Sequence, residues 1–591
     1  MSILENISSI RNLIKKNNID ALLIYGTDPH LSEYVPQDWR SVEWVSGFTG
    51  SYGKVVITKD KAALWTDSRY FIQAETQLKG SGFILMKERQ TGTIPIEKWL
   101  IEEFESGSRV AINGLTLSAA NASVLRENLS AKGIVLITNI DLISPIWLNR
   151  PVLNQSKVTD YPVKFSGQSR SEKLSIIRRK LKEVNSNALL ICQLDDLAWS
   201  FNLRGNEVSY NPVFAGYGYI DNEQAILFIH DGKLTNGLVE KLNSEGIQVK
   251  NYDLLFSVLE QNIPKVVYLD PDRTNSVIQS FLTDKCTVIE GLAIPTLLKS
   301  IKNKVEIAGT RSAHRRDGVA MVNFLYWFHK HSQRERMTEL SISEELIQFR
   351  SEQRYFVGES FCSIVAFGPH GAIVHYNPTP ESDVEISRDG VLLIDSGGQY
   401  LDGTTDITRT IAIGKVNSTM QFDFTVVLKG MINLAKAKFP EGTKGYSLDS
   451  IARNELWNNS LNYGHGTGHG VGHYLSVHEG PMSIRTEYNS QPIKPGQILT
   501  VEPGLYREGK YGIRIENVLL CKKAGVSVFG TFLSFETLTL CPIDKRLIKR
   551  SLLNAEEKKW LNKYHKKVLN TLNPYLKSKV RIWLTAQCAP L

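Results

Sequence analysis

Apolar residues recur at helical spacing over residues 5–17, and the run Ala21-Leu22-Leu23-Ile24-Tyr25 that follows predicts a short buried strand. The segment GKVVITKDKAALWTDSRYF predicts a hairpin turning at Lys59-Asp60-Lys61. A similar order returns after residue 170, where a basic helix, SEKLSIIRRKLKEVN, leads to ALLICQLDDLAW and then to QAILFIHDGKL. Ala21-Leu22-Leu23-Ile24 answers Ala188-Leu189-Leu190-Ile191, and Trp44 to Gly50 answers Trp199 to Gly205. The pattern predicts two copies of one α/β lobe, the first longer by about a dozen residues.

A third unit starts near KSIKNKVEIAG. SAHRRDGVAMVNFLYWFHKH predicts a long amphipathic helix and TELSISEELIQFR a second, for which Ser341 and Glu344 fit a capping box. From there to about residue 543 the chain reads as mostly strands and glycine-rich turns. The remainder reads as a basic helical tail broken at Pro574. The expected segments are 1–155, 156–302, 303–543 and 544–591.

Composition adds little beyond class. At 591 residues the chain exceeds one core, and 69 basic against 61 acidic side chains is a mild surplus that does not by itself argue for nucleic acid. No apolar run approaches a membrane span, and the N-terminus lacks a signal-peptide core. Six scattered cysteines without a CxxC pair fit a reduced, cytoplasmic setting.

The chemistry lies in the third unit. VLLID ends a buried strand in Asp395, and TTDITRT carries Asp406 on a second strand, with a reversal expected at Gly397-Gly398. An antiparallel pairing sets the two acids side by side. QILTVEPG and YGIRIENVLL repeat the design: Glu502 ends one strand, Glu516 sits on the next, and Arg514 shares its face by alternation. Between them GHGTGHGVGHYLSVHEG supplies His465, His469, His473 and His478, and GPHGAIVHYNP supplies His375. Neither a dinucleotide fingerprint nor a P-loop lysine accompanies these glycines. Four carboxylates and the imidazole of His469 exceed what one divalent cation needs, whereas two cations balance the charge and can ionise a shared water. An oxygen-rich set with one imidazole and no thiolate suits Mn²⁺, with Co²⁺, Zn²⁺ or Fe²⁺ as alternatives.

At these residues the chain resembles the pita-bread metallopeptidases, and most closely the long three-domain form of Xaa-Pro aminopeptidase. SGFTGSYGKVVITKDKAALWTDSRYFIQAE in the first lobe, AWSFNLRGNEVSYNPVFAGY in the second, the five acid and histidine motifs in order, and PID…WLNKYHKKV…WL near the end carry the likeness. The resemblance implies an α/β (α+β) fold: two creatinase-type lobes, a catalytic domain with a curved antiparallel sheet covered by helices, and a helical extension. It implies that Asp395 chelates one metal, that His469 and Glu502 hold the other, and that Asp406 and Glu516 bridge both. A bridging hydroxide then attacks the Xaa-Pro bond of a peptide with proline in second position. His375, His465 and His478 match the family's further active-site histidines, and Tyr506 and Arg514 their supports. Arg69 is a candidate near the entrance or a surface salt-bridge residue. His473 stands where a smaller residue is expected, so its role is open. A homodimer follows from the same likeness, with no membrane or nucleic-acid partner.

Other readings share parts of this pattern. An Xaa-Pro dipeptidase uses similar ligands, but the double lobe and basic tail speak against it. A creatinase-like enzyme lacks the metal set, and a methionine aminopeptidase does not need the lobes. A catalytically silent relative that binds peptides, or nucleic acid through KRLIKR and the tail, normally loses ligands, and none is missing here.

Overall fold

The computed structural model describes every residue except Met1, Leu153, Gln155, Gln333, Arg334, Ser387 and Arg388. Both ends of the first expected segment, Met1 and Gln155, therefore lie outside the described residues. The chain forms two units, one of residues 1–162 and 168–297, the other of residues 163–167 and 298–591.

The first unit contains the duplication. Each lobe opens with a helix, Ile3–Lys16 or Arg170–Glu183, started by a serine in a capping box: Ser2 with Glu5, and Ser169 with Glu172. Each helix is followed by an asparagine in the left-handed region, Asn18 or Asn185, which turns the chain into the first strand. The strands Ala21–Tyr25, Lys54–Thr58, Ala62–Thr66, Ile84–Lys87, Arg109–Ile112 and Val135–Ile137 lie in the spatial order fourth, third, second, first, fifth, sixth. Ala188–Ile191, Gly216–Asp221, Ala225–Ile229, Ile247–Asn251, Val266–Leu269 and Thr287–Glu290 repeat that order. The first three strands pair antiparallel and the other pairs are parallel in both sheets. The expected hairpin turns at Lys59-Asp60-Lys61, with Ala62 facing Ile57.

In the second unit every strand pair among the described residues is antiparallel. Helices Lys304–His331 and Glu339–Ser351 pack Met321, Phe324, Ile342 and Leu346 against Leu392 and Ile411 of a three-stranded sheet. The second of these helices starts earlier than its sequence pattern suggests. Thr338 is the N-cap and Ser341 the third helical residue of the box, so the expected Ser341–Glu344 pair does not form. The segment expected to be mostly strands also holds two helices, Ser418–Ala435 and Gly445–Trp457. The first is apolar almost all round and rich in β-branched and aromatic residues, so it lacks the amphipathic period that marks a surface helix. Met431 and Leu456 from these helices join Leu499 and Leu519 of a six-stranded sheet in the largest core. The tail forms helices Ala555–Leu572 and Ser578–Gln587, broken at Asn573–Tyr575 as Pro574 requires. No helix among the described residues is long and apolar enough to cross a membrane.

Candidate metal centre

Two strand pairs carry the acids. Strand Gly390–Ser396 runs antiparallel to Ile407–Ile413, with Asp395 facing Thr408 and Ser396 facing Ile407, so Asp406 lies just off the strand end, level with Gly397 and diagonal to Asp395 rather than opposite it. Strand Ile498–Val501 pairs with Asn517–Ser527, and Val501 faces Asn517, which leaves Glu502 and Glu516 adjacent just beyond the pairing. Two local expectations are corrected. Gly397-Gly398 does not reverse the chain; the turn comes at Leu401-Asp402, between Gly398–Tyr400 and Gly403–Thr404. Gly397 serves close approach instead, since a Cβ there would fall 2.1 Å from the Thr405 carbonyl oxygen. Glu516 sits on neither strand but in the break between Tyr511–Arg514 and Asn517–Ser527, where the ladder no longer fixes its direction.

The side chains converge. Asp406, His469 and Glu516 offer ligand atoms that all lie within 4.8 Å of one another. His469 Nε2 is 3.5 Å from Asp406 Oδ2 and 3.4 Å from Glu502 Oε1. Its Nδ1 lies 2.9 Å from the Gly470 carbonyl oxygen, which accepts the Nδ1 proton and leaves Nε2 to face the acids. Arg514 donates to Asp395 Oδ2 from Nη2 at 2.6 Å and from Nε at 3.0 Å. The other oxygen, Asp395 Oδ1, is buried with no hydrogen-bond partner among the described residues.

Burial dominates the electrostatics. It raises the carboxyl groups of Asp395 and Glu502, against the pull of Arg514 and His469 respectively. Glu516 is raised well above the usual range, by burial and then by the charge of Asp406. For His469 burial opposes the charge, but Asp406 and Glu502 outweigh it and push the imidazole up to about 9. One guanidinium and one imidazole thus face four buried carboxylates, a shortfall of positive charge that bound cations remove. The orphaned Asp395 oxygen and this donor set fit divalent metal.

Of the other histidines, His465 joins the centre through its neighbours. Arg514 Nη1 donates to the Tyr506 hydroxyl at 2.6 Å, and that hydroxyl lies 2.7 Å from His465 Nε2. His478 packs edge-on against His469 with ring centroids 4.3 Å apart. His375 follows Val374, whose carbonyl accepts from Arg514 Nη2 at 3.2 Å. His473 is brought elsewhere: it is buried between the Thr310 hydroxyl and the Phe165 carbonyl, each 3.2 Å away, and is a packing residue. Arg69 belongs to the first unit and is ion-paired to Asp67 at 2.7 Å.

Sequence reasoning missed Thr408 and Thr500. The Thr408 hydroxyl donates to Glu516 Oε2 at 2.9 Å; that of Thr500 accepts from the His469 amide at 3.0 Å and lies 3.3 Å from Glu502 Oε1. Each stands two residues from an acid, so strand alternation marks the shared face. Arg409 was missed as well, and carries no such mark. Its guanidinium is buried and donates to the Glu516 carbonyl at 2.6 Å, to Asn517 Oδ1 at 2.9 Å and to the Tyr564 hydroxyl at 2.8 Å.

Comparison with known proteins agrees with this architecture. The family description "Metallopeptidase family M24" matches residues 308–523, and "C-terminal region of peptidase_M24" matches 531–591. Two descriptions of the creatinase/prolidase N-terminal domain match 6–143 and 149–306, one on each lobe. A probable Xaa-Pro aminopeptidase P of Coprinopsis cinerea is 37% identical over 99% of this chain and 98% of its own. One of Laccaria bicolor is 38% identical over 99% and 93%. The crystal structure of an X-prolyl aminopeptidase from Caenorhabditis elegans, described as a cytosolic enzyme with a di-nuclear active site, superposes with a TM-score of 0.96 at 35% identity, covering 100% of both chains. An Xaa-Pro dipeptidase from Bacillus anthracis shares the fold over 64% of this chain, with a TM-score of 0.51 at 23% identity. The chain belongs to the Xaa-Pro aminopeptidase P family of M24 metallopeptidases.

Proposed function

We propose that this protein is a dinuclear-metal aminopeptidase that hydrolyses the bond between the first residue and a proline in second position. The observation that carries the reading is the convergence of Asp406, His469 and Glu516, with Asp395 and Glu502 at the same centre. Asp395 would hold one cation, His469 and Glu502 the other, and Asp406 and Glu516 both. What two divalent cations supply when bound is Lewis acidity toward the scissile carbonyl and a water acidified at neutral pH.

The chain's own groups do the rest. Arg514 fixes Asp395 Oδ2 and turns Oδ1 free for coordination. Thr408 and Thr500 orient Glu516 and Glu502. His375, His465 and His478 hold the peptide and carry the proton that the departing prolyl nitrogen must take up, since a tertiary amide leaves as a secondary amine. Arg69, ion-paired to Asp67 within its own turn, is kept as the candidate near the entrance. Manganese as the metal, a homodimer and a cytosolic location belong to the same proposal; elemental analysis, sedimentation velocity and cell fractionation check them.

The test is turnover of Xaa-Pro-Xaa, Xaa-Pro and Met-Ala-Xaa peptides with and without Mn²⁺. The expected result is Mn²⁺-stimulated release of the first residue from Xaa-Pro-Xaa alone, abolished by chelation. Preference for the dipeptide would instead make the protein a prolidase.

A further inference from the structure

Glu339 opens the helix Glu339–Ser351, and its side chain is fully buried. Among the described residues, the three donors on its carboxylate come from one neighbouring stretch. The Phe367 amide donates to Oε1 at 2.7 Å, and His370 Nδ1 and the Tyr376 hydroxyl lie 2.9 Å and 2.7 Å from Oε2. The Tyr376 hydroxyl donates to the carboxylate, and His370 faces it through Nδ1. The His370 ring stacks on Tyr376 at 4.4 Å between centroids, closing the stretch on itself.

These donors bracket His375. Phe367 ends the strand before it, His370 lies in the turn Gly368–Ala372, and Tyr376 is its immediate neighbour. The far side is held by the hairpin that carries Arg514. Arg514 reaches the Val374 carbonyl, and the turn meets Gly512 backbone to backbone, where a Cβ would fall 1.7 Å from the Gly371 oxygen. The stretch is thus held by the hairpin and by a single buried acid that, among the described residues, makes no hydrogen bond to a candidate metal ligand.

We propose that Glu339 is a positioning residue for this active site, setting the backbone that presents His375 to the peptide. The proposal rests on the reading of His375 as a substrate-facing histidine. Three amide, imidazole and phenol donors on one carboxylate fix a loop more tightly than packing alone, and a displacement of about 1 Å at a reacting group can cost on the order of a hundredfold.

The test compares wild type, Glu339→Gln, His375→Ala and the double variant in the full-length, Mn²⁺-loaded protein, together with amide hydrogen exchange of the metal-free protein. Glu339→Gln is expected to lower kcat for Xaa-Pro-Xaa by about 10- to 100-fold with KM within about twofold. Exchange should rise across residues 364–377, and the double variant should fall no lower than His375→Ala. Wild-type kcat in Glu339→Gln overturns the proposal, as does recurrence of its full effect in the His375→Ala background. Should Glu339→Gln fail to fold, Tyr376→Phe, which removes one of the three donors, carries the same cycle. A wild-type protein inactive on Xaa-Pro-Xaa would sink the functional reading instead; unchanged exchange over 364–377 in the glutamine variant would still overturn the role of Glu339.

Discussion

The two halves of the candidate metal centre share a backbone plan and differ in what their hairpins do. Each half is a strand, an acid, a small hairpin, a second acid and a return strand: Asp395 and Asp406 in one, Glu502 and Glu516 in the other. The first hairpin, Gly398–Tyr400 with Gly403–Thr404, points its contacts away from the acids. Asp402 at its turn pairs with Arg316 on the long helix, and Gln399 donates to the Leu475 carbonyl. The second, Gly504–Arg507 with Tyr511–Arg514, folds back over the centre. Asp423 anchors it through Arg507 and Tyr511, and it sends Tyr506 to His465 and Arg514 to Asp395. Similar strand pairs thus bring two carboxylates each to the centre, Asp395 from within its ladder and Glu502 and Glu516 from just beyond theirs, and the unequal hairpins make one half the support of the other.

The most direct way to break the comparison is to remove one acid from each half. Asp406→Ala and Glu516→Ala should each lower kcat/KM for Xaa-Pro-Xaa by about a thousandfold, with circular dichroism unchanged and less bound metal by elemental analysis. Near-normal turnover in either would mean that its half is dispensable. The hairpins are separated by a smaller effect. Arg514→Met leaves Asp395 buried without its partner and should cost about 3–5 kcal/mol in urea unfolding. Thr404→Val, which deletes one buried hydroxyl from the first hairpin, should cost about 1 kcal/mol. Similar costs would erase the proposed asymmetry.

A third measurement concerns the helix beneath both halves. Arg409, on a strand of the first half, holds the Glu516 carbonyl of the second and rests on Tyr564. The next residue, His565, accepts from the Ile543 amide at 3.1 Å, and burial pulls its imidazole down to about 3. A folded-state value below the unfolded one means that the unfolded chain takes up more protons as pH falls. Stability from His565 is present above about 6.5 and is lost from there toward 3, by at most about 1.4 kcal/mol per pH unit. Urea midpoints taken from pH 7 to 4 should therefore fall less steeply in His565→Gln than in wild type; equal slopes would refute the assignment.

The sequence displays the acids because a charged residue closing a run such as VLLID or ILTVE has no structural reason to be buried unless something compensates it. The lobes were legible for a similar reason, as their repeated motifs coincide with capping serines and left-handed asparagines at matching points. Helix Ser418–Ala435 was not legible, since burial on nearly every side erases the period that a sequence pattern can detect. His473 looked like its three neighbours in sequence, and only the path of the chain separates it from them. Glu339, Asp423 and Arg409 were invisible for a third reason: their partners are far along the chain, and a single charged residue in a helix or strand reads as solvent-facing.

The contact between Arg409 and Tyr564 also has a temporal meaning. A chain made from its N-terminus exposes Arg409 long before Tyr564 is synthesised, and the acids of the centre precede the helix that braces them. Units tend to fold as wholes during synthesis, and the second unit includes the helix Ala555–Leu572 that carries Tyr564. Its interior must wait, part-built and with a guanidinium lacking its phenol, until the helix Ala555–Leu572 leaves the ribosome. A chain cut before Ala555 would thus hold every candidate metal-binding acid and lack the phenol on which Arg409 rests.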